Sequence, residues 1–313
     1  VIVTLTANPS VDRTVEVARL YPGGVMRALS ARVDAGGKGV NVARALAANG
    51  RKAVAVLPSG GAEGVQLVAL LAQTGLDIVA VPVANAVRAN VTIIEPDGFT
   101  TKINEPGPRL RRAEARALAA ATLETARGAD WVVLCGSLPP GIPDGFYADL
   151  VSRLHAAGTL VAVDTSGPAL VATLAAGPDL VKPNRDELAE ATGIAIGTLG
   201  DVARAGRRML AAGACGVLAS LGPDGAMLVT GEGCWLGTGP VREPRSTVGA
   251  GDALLAGFLG AGGQGPQALV DALAYGCAAI SLPGSRMPEP ADLDRASVHV
   301  HAGFDPDKPL TER

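Results

Sequence analysis

The feature that most constrains this chain is an alternation. Short apolar, β-branched runs at Val1–Thr6, Lys52–Leu57, Asp77–Pro82, Trp131–Leu134, Leu160–Asp164 and Val217–Ser220 are separated by helix-length stretches at 40–49, 63–74, 110–127, 144–157 and 168–175. Runs of four to six apolar residues suit strands buried on both faces, and intervening helices supply the crossovers that parallel neighbours need. The series predicts an α/β fold: a mostly parallel sheet flanked by helices on both faces. Two regions break the rhythm. Arg13–Val17 and Arg27–Asp34, joined by a turn at Tyr21–Gly24, alternate in a way that leaves one face wet. So do 87–95 and 99–104 around the turn Pro96-Asp97-Gly98. They predict a small β-sheet lid built from inserted segments 11–34 and 87–105. No linker or repeat divides the rest, so residues 1–313 are expected to form one domain.

Composition narrows the function classes. With 313 residues and 48% hydrophobic content, a large core is available. Net charge is −3, and no basic block interleaved with aromatics argues for nucleic acid. The four cysteines, Cys135, Cys215, Cys234 and Cys277, are scattered, which fits a reduced, cytoplasmic setting. No apolar run is long enough to span a membrane, and the first residues read as a strand rather than a leader.

Chemistry concentrates at Ser246-Thr247-Val248-Gly249-Ala250-Gly251-Asp252, which runs straight into an apolar helix former. A helix starting near Ala250 leaves its first N–H groups unpaired, with the dipole adding partial positive charge. Glycines on either side let an anion approach the backbone, so Gly249, Ala250 and Gly251 form a candidate site for phosphate or developing negative charge. Asp252 in the same turn would repel a phosphate. It makes sense as a general base for an attacking hydroxyl, or else as a helix cap. A second glycine turn, Gly36-Gly37-Lys38-Gly39, leads into a helix carrying Asn41. It is not a P-loop, since the required Gly and Ser/Thr positions hold Arg32 and Gly39. Asn184 and Glu187, three apart at a helix start, can share a face. They suit either a hydrated Mg²⁺ or a capping box.

Together the front glycine turn with Asn41 and the S-T-V-G-A-G-D stretch resemble the two signatures of the phosphofructokinase-B sugar kinases, members of the ribokinase-like superfamily, and the resemblance covers essentially the whole chain. It implies an ATP- and Mg²⁺-dependent kinase with Asp252 as base. It implies a substrate site of Asp12, Gly37, Asn41, Asn90 and Ser137, with Lys38 and Arg88 on a phosphate the substrate already carries. Asn184 and Glu187 match the family's metal–phosphate motif. Ser220 and Gly222, in the turn closed by Gly225, hold positions that touch ATP phosphates, and the stretch from Cys277 to Pro283 is expected along the adenine. Thr101–Pro108 is similar to a segment typical of 1-phosphofructokinases. The resemblance therefore points to fructose 1-phosphate, with tagatose 6-phosphate and fructose 6-phosphate as competitors. A nucleoside kinase is disfavoured by the two cations, and a non-catalytic sugar-phosphate sensor by the intact G-A-G-D. A nicotinamide oxidoreductase lacks its glycine fingerprint after the first strand. Exposed lid edges predict a homodimer. His299-x-His301 has no companion ligands for a metal site, and Asp305–Arg313 reads as a loose tail.

Overall fold

In the computed structural model, which describes residues 1–96 and 99–311, strands and helices alternate as the apolar runs require. In chain order they are β1 (Ile2–Thr6), β2 (Ser10–Val17), β3 (Ala28–Gly36), α1 (Lys38–Ala48), β4 (Ala53–Ser59), α2 (Gly61–Ala72), β5 (Asp77–Pro82), β6 (Arg88–Ile94), β7 (Thr100–Asn104), α3 (Arg112–Thr125) and β8 (Trp131–Cys135). There follow α4 (Phe146–Ala156), β9 (Leu160–Asp164), α5 (Gly167–Leu174), β10 (Leu180–Val181), α6 (Arg185–Thr192), α7 (Leu199–Ala211), β11 (Gly216–Ser220), β12 (Ala226–Thr230), β13 (Gly233–Thr238), α8 (Ala250–Gly260), α9 (Gly265–Ile280) and β14 (His299–His301).

The main sheet has the order β14-β13-β12-β11-β10-β9-β8-β1-β4-β5. From β11 through β5 every pairing is parallel, and β12, β13 and β14 add an antiparallel edge. Every residue of β1 and β8 is buried, as central strands covered on both faces must be. Period-two alternation then sorts the side chains. Val3, Leu5, Val132 and Leu134 enter a core with α3, α4, α5, α6 and α7. Ile2, Trp131, Val133 and Cys135 enter another with α1, α2, α8 and α9. Helix α8 is buried along nearly its whole length because it packs between α1 and α9; Gly257 permits the approach of α9, since a Cβ there would lie 2.5 Å from the Asp271 carbonyl oxygen.

The second sheet, ordered β3-β2-β6-β7, has β2 and β6 parallel in its middle and antiparallel edges. It is the lid expected from the two interrupting segments, although Asp97 and Gly98 of the 96–98 turn lie outside the described residues. One element was not anticipated and one expectation needs correction. His299 and His301 form the edge strand β14, paired to β13, with their rings stacked 6.3 Å apart. Residues 305–311 are docked rather than loose, while Glu312 and Arg313 of the expected tail lie outside the described residues. Leu310 is buried and its N–H donates to the Gly197 carbonyl, Gly200 N–H donates to the Pro306 carbonyl, and the Thr311 N–H and hydroxyl both donate to Asp224. Backbone bonding to the start of α7 and the turn before it fixes the segment. No helix among the described residues is long and apolar enough to cross a membrane.

Candidate active site

Parallel strands feed their carboxyl ends into one edge, and the loops there carry the polar residues. Asp252 lies in the first turn of α8 and is only 8% exposed. The N-cap of that helix is Gly249, in the left-handed region at φ 78, and no side chain caps it. An alanine at 249 would be strained by its φ and would place a Cβ 2.8 Å from Met287 Cε. The Ala250 N–H makes only a long contact, 3.4 Å, to the Thr247 carbonyl. The start of α8 is therefore open to an anion, with a carboxylate beside it.

The Asn41 side chain, from α1, donates through Nδ2 to Asp252 Oδ2 at 2.9 Å, while its own Oδ1 is buried and has no protein partner. Asn41 is thus a partner of the carboxylate first, with one acceptor left over for a hydroxyl. Burial is the largest influence on Asp252, followed by the charge of Asp164. Together they outweigh Asn41, Lys38 and Lys182 and push its carboxyl up to about 6.

Two charged residues that the motifs did not single out complete this region. Asp164 ends β9 and is fully buried, and Lys182 follows β10 and is 4% exposed. Lys182 Nζ lies 3.2 Å from Asp164 Oδ2, and a Cβ on Gly251 would sit 3.4 Å from the same nitrogen. Burial alone would raise the Asp164 carboxyl, but Lys182 and Lys38 together hold it below its usual range. A sequence signal existed: a charge at the inner end of an otherwise apolar strand is expensive unless it is paired.

Lys38 occupies the first position of α1. Its Nζ donates to Asp164 Oδ1 at 2.6 Å and to Glu187 Oε1 at 3.3 Å. Burial lowers its pKa, yet Asp164 and Glu187 outweigh that and raise it above the ordinary lysine value. The expected pairing of Lys38 with Arg88 is not what the geometry displays. Arg88, at the start of β6, donates to the Asn8 carbonyl at 2.9 Å and to the Glu105 carbonyl at 3.0 Å, and its Nε is buried without a partner. Glu105 also accepts from the Ala89 N–H, and Asn8 Nδ2 donates to the Pro106 carbonyl and, at 3.3 Å, to Ser137 Oγ. The Glu105–Gly107 segment is thereby tied to Arg88 and Ser137 through Asn8, a residue the sequence reading left as part of a turn.

Asp12 lies between these groups on β2. Its Oδ1 accepts from Ser10 Oγ at 2.7 Å and from Asn90 Nδ2 at 2.9 Å, and Asn90 Oδ1 is buried without a partner. A Cβ on Gly36 would come within 2.2 Å of Asp12 Oδ2, so only glycine allows the front turn to pass this carboxylate. Gly37 adopts φ 123 and leads directly into α1.

At the start of α6, Asn184 and Glu187 form a complete capping box. Asn184 Oδ1 accepts from the Asp186 and Glu187 N–H groups, and Glu187 Oε2 accepts from the Asn184 N–H at 2.8 Å. Of the two sequence readings of this pair, the capping box is the one the geometry displays, and it orients Glu187, whose Oε1 faces Lys38. Ser220 bridges to Asn184, its N–H bonded to the Pro183 carbonyl. Gly222 begins the turn at φ 64 with open space around it. Gly225 has a local explanation, because a Cβ there would lie 2.1 Å from the Gly237 carbonyl oxygen. Beyond them, Cys277, Ala278, Ser281 and Leu282 of α9 and its end face Pro240, Leu293 and Val298 across a cleft of about 530 Å³. Among the described residues no cluster of three or more His, Cys, Asp or Glu side chains is arranged as a metal cage.

A buried carboxylate beside an open helix start, under a β lid at the carboxyl edge of a parallel sheet, defines a phosphotransferase of the ribokinase-like class. The chain belongs to the pfkB family of carbohydrate kinases, which it matches over residues 5–291. It is 42% identical to 1-phosphofructokinase of Rhodobacter capsulatus over 297 residues, covering 93% of this chain and 94% of that one. It is 36% identical to the ATP-dependent 6-phosphofructokinase isozyme 2 of Escherichia coli, covering 81% and 83%. The structure of phosphofructokinase-2 from Escherichia coli in complex with substrates and products superposes with a TM-score of 0.87 at 34% identity, covering 93% of this chain and 96% of that one.

Proposed function

We propose that this protein transfers the γ-phosphoryl group of ATP to the 6-hydroxyl of fructose 1-phosphate, yielding fructose 1,6-bisphosphate. The observation that carries the reading is Asp252: a buried carboxylate whose pKa lies near 6, beside the uncapped N-terminus of α8. Asp12, Asn90 and Asn41 offer acceptors to sugar hydroxyls. Arg88 keeps donors beyond those it spends on Asn8 and Glu105, and a planar guanidinium matches a phosphate dianion. The ionised Asp252 takes the proton of the attacking hydroxyl. The N–H groups at Gly249, Ala250 and Gly251, with Lys182 close by, face the negative charge of the phosphoryl group in transit. Positioning and fixed charge supply most of the rate gain in such chemistry. The similarity to 1-phosphofructokinases and the Asn8-anchored Glu105–Gly107 segment favour fructose 1-phosphate over its isomers.

The chain's donors fit ATP and magnesium. The start of α8 suits phosphate, and the cleft beside Cys277 is sized for a base. Glu187, held by its cap, provides the hard oxygen that a largely hydrated Mg²⁺ accepts. When bound, the ion neutralises phosphate charge. Asn184 orients Glu187 and retains its own oxygen for the cap.

The lid suggests the assembly. Val25 is 99% exposed, and Tyr21, Leu29 and Ile103 are more than half exposed along or beside the edge strands β3 and β7. Exposed strand edges and apolar side chains favour pairing with a second copy, so a homodimer through the lid is our reading. Light scattering at micromolar concentration tests it; a monomer there counts against it. All four cysteines are free, in keeping with a reducing, cytoplasmic location.

The deciding experiment follows ADP release with ATP, magnesium and a panel of fructose 1-phosphate, fructose 6-phosphate, tagatose 6-phosphate and fructose. Fructose 1-phosphate is expected to give the highest kcat/KM. A preference for another member overturns the substrate, and no sugar-dependent release overturns the kinase reading.

A further inference from the structure

The two cations assigned by resemblance to one phosphate stand in different surroundings, and Lys38 is the one out of place. A lysine at the first position of α1 sits at the positive end of the helix dipole, and no acidic residue shares its first turn. Local helix stability therefore opposes it. What holds it is remote in sequence: Asp164 at 2.6 Å from the end of β9 and Glu187 at 3.3 Å from the start of α6. Asp164 in turn holds Lys182, whose ammonium lies against Gly251 at the open end of α8. Lys38 thus belongs to a chain of charges running from the Glu187 carboxylate to the anion-accepting helix start. Arg88 belongs to a separate set, anchored by Asn8 and Glu105 on the lid side.

An ammonium has three donors, and the two carboxylates use two of Lys38's. Asp164 is fully buried and Glu187 is 12% exposed, whereas the Lys38 side chain keeps 34% of its surface, so one side of it remains accessible. Resting on the kinase reading, we propose that Lys38 is a catalytic residue for the phosphoryl group being transferred, not a ligand of the phosphate already on the sugar. Its third donor serves an equatorial oxygen of that group, where charge spreads as the bond to ADP breaks and the bond to the sugar oxygen forms. Arg88 is left as the cation for the resident phosphate. Asp164 acts as a positioning residue, fixing Lys38 and Lys182 on either side of the path.

The test compares wild type, K38M and R88M by calorimetry and by steady-state kinetics. Three ligands are titrated: fructose 1-phosphate alone, ADP with magnesium, and a non-hydrolysable ATP analogue with magnesium. K38M is expected to lower kcat about 10²-fold, the scale of losing one charge-stabilising donor. It should also weaken the analogue at least tenfold, while leaving ADP and fructose 1-phosphate within twofold. R88M should show the reverse pattern, with the sugar phosphate weakened. The proposal is overturned if K38M weakens fructose 1-phosphate tenfold, if it weakens ADP as much as the analogue, or if it changes neither. A wild type that binds the analogue but no sugar phosphate sinks the substrate assignment and leaves the ADP-versus-analogue comparison as the test of Lys38. If K38M does not fold because Asp164 loses a partner, K38M/D164N removes both charges and is judged by the same three outcomes.

Discussion

Two helices, α6 and α8, begin at the same edge of the main sheet and treat their free N–H groups in opposite ways. Helix α6 satisfies its own: Asn184 accepts two of them and Glu187 closes the box. Helix α8 satisfies none with a side chain, begins on a left-handed glycine, and places a buried carboxylate in its first turn. A helix start is worth something to a ligand only where its donors remain unspent. The first therefore aims a carboxylate, and the second is left to receive an anion. Their motifs look alike in the sequence, a small polar residue or glycine followed by an acid. The difference lies in whether the side chain at the cap reaches back.

The contrast is sharpest at Asp252. D252N is expected to lower kcat by about 10²–10⁴-fold, the range for a lost general base, with ATP binding unchanged by calorimetry. Turnover within twofold of wild type would remove α8 from the chemistry altogether. G249A comes next. The alanine is strained at φ 78 and collides with Met287, so the donors of α8 shift, and a loss of about 10²-fold in kcat is expected. N184A at the equivalent position of α6 should cost far less in rate; if it costs more than G249A, the comparison is inverted.

The pH profile reports on the same carboxylate. Asp252 must be ionised to accept a proton, so kcat/KM should fall about tenfold per pH unit below about 6 and lie flat above it. A limb that stays near 6 in D252N would assign it to another group. Stability moves in the opposite sense. The folded protein holds the Asp252 proton more tightly than the unfolded chain does. Its contribution is therefore full below the ordinary carboxylate range and is lost as pH rises through about 6. D252N should then exceed wild type in stability at pH 8 by on the order of 2–3 kcal/mol, converging near pH 4. Thermal melts at the two pH values check this. The smallest effect is on α6: N184A loses a cap, about 1 kcal/mol, read from urea midpoints at pH 7.5.

Much of the fold was legible because its strands are buried on both faces and so appear as uninterrupted apolar runs. The lid announced itself by alternation, although β7 is exposed throughout, β3 over its first five residues, and β6 is half-buried on both faces. Helix α7 and strand β14 were not seen. The second is only three residues long, but the first was legible: Leu199, Val202, Ala203, Gly206 and Met209 recur at helical spacing and are all buried. In the site, short motifs, two glycine-bearing and one a spaced Asn–Glu pair, singled out Asp252, Asn41 and Glu187. They were silent on Asp164 and Lys182, whose neighbours in sequence are ordinary strand residues. Asn8 was hidden for a similar reason: its importance comes from Arg88, Pro106 and Ser137, all roughly a hundred residues away.

By itself the sequence determined the layers, the lid, the open start of α8 and the carboxylate proposed as the base, because each is written in local periodicity or in a contiguous motif. The tertiary structure decided which charges meet. Lys38 faces Asp164 and Glu187 rather than Arg88, and Asp252 is raised by burial and by a carboxylate from another strand. Electrostatic energies depend on distance and on exclusion of water, and both are set only when remote segments converge on one edge of the sheet.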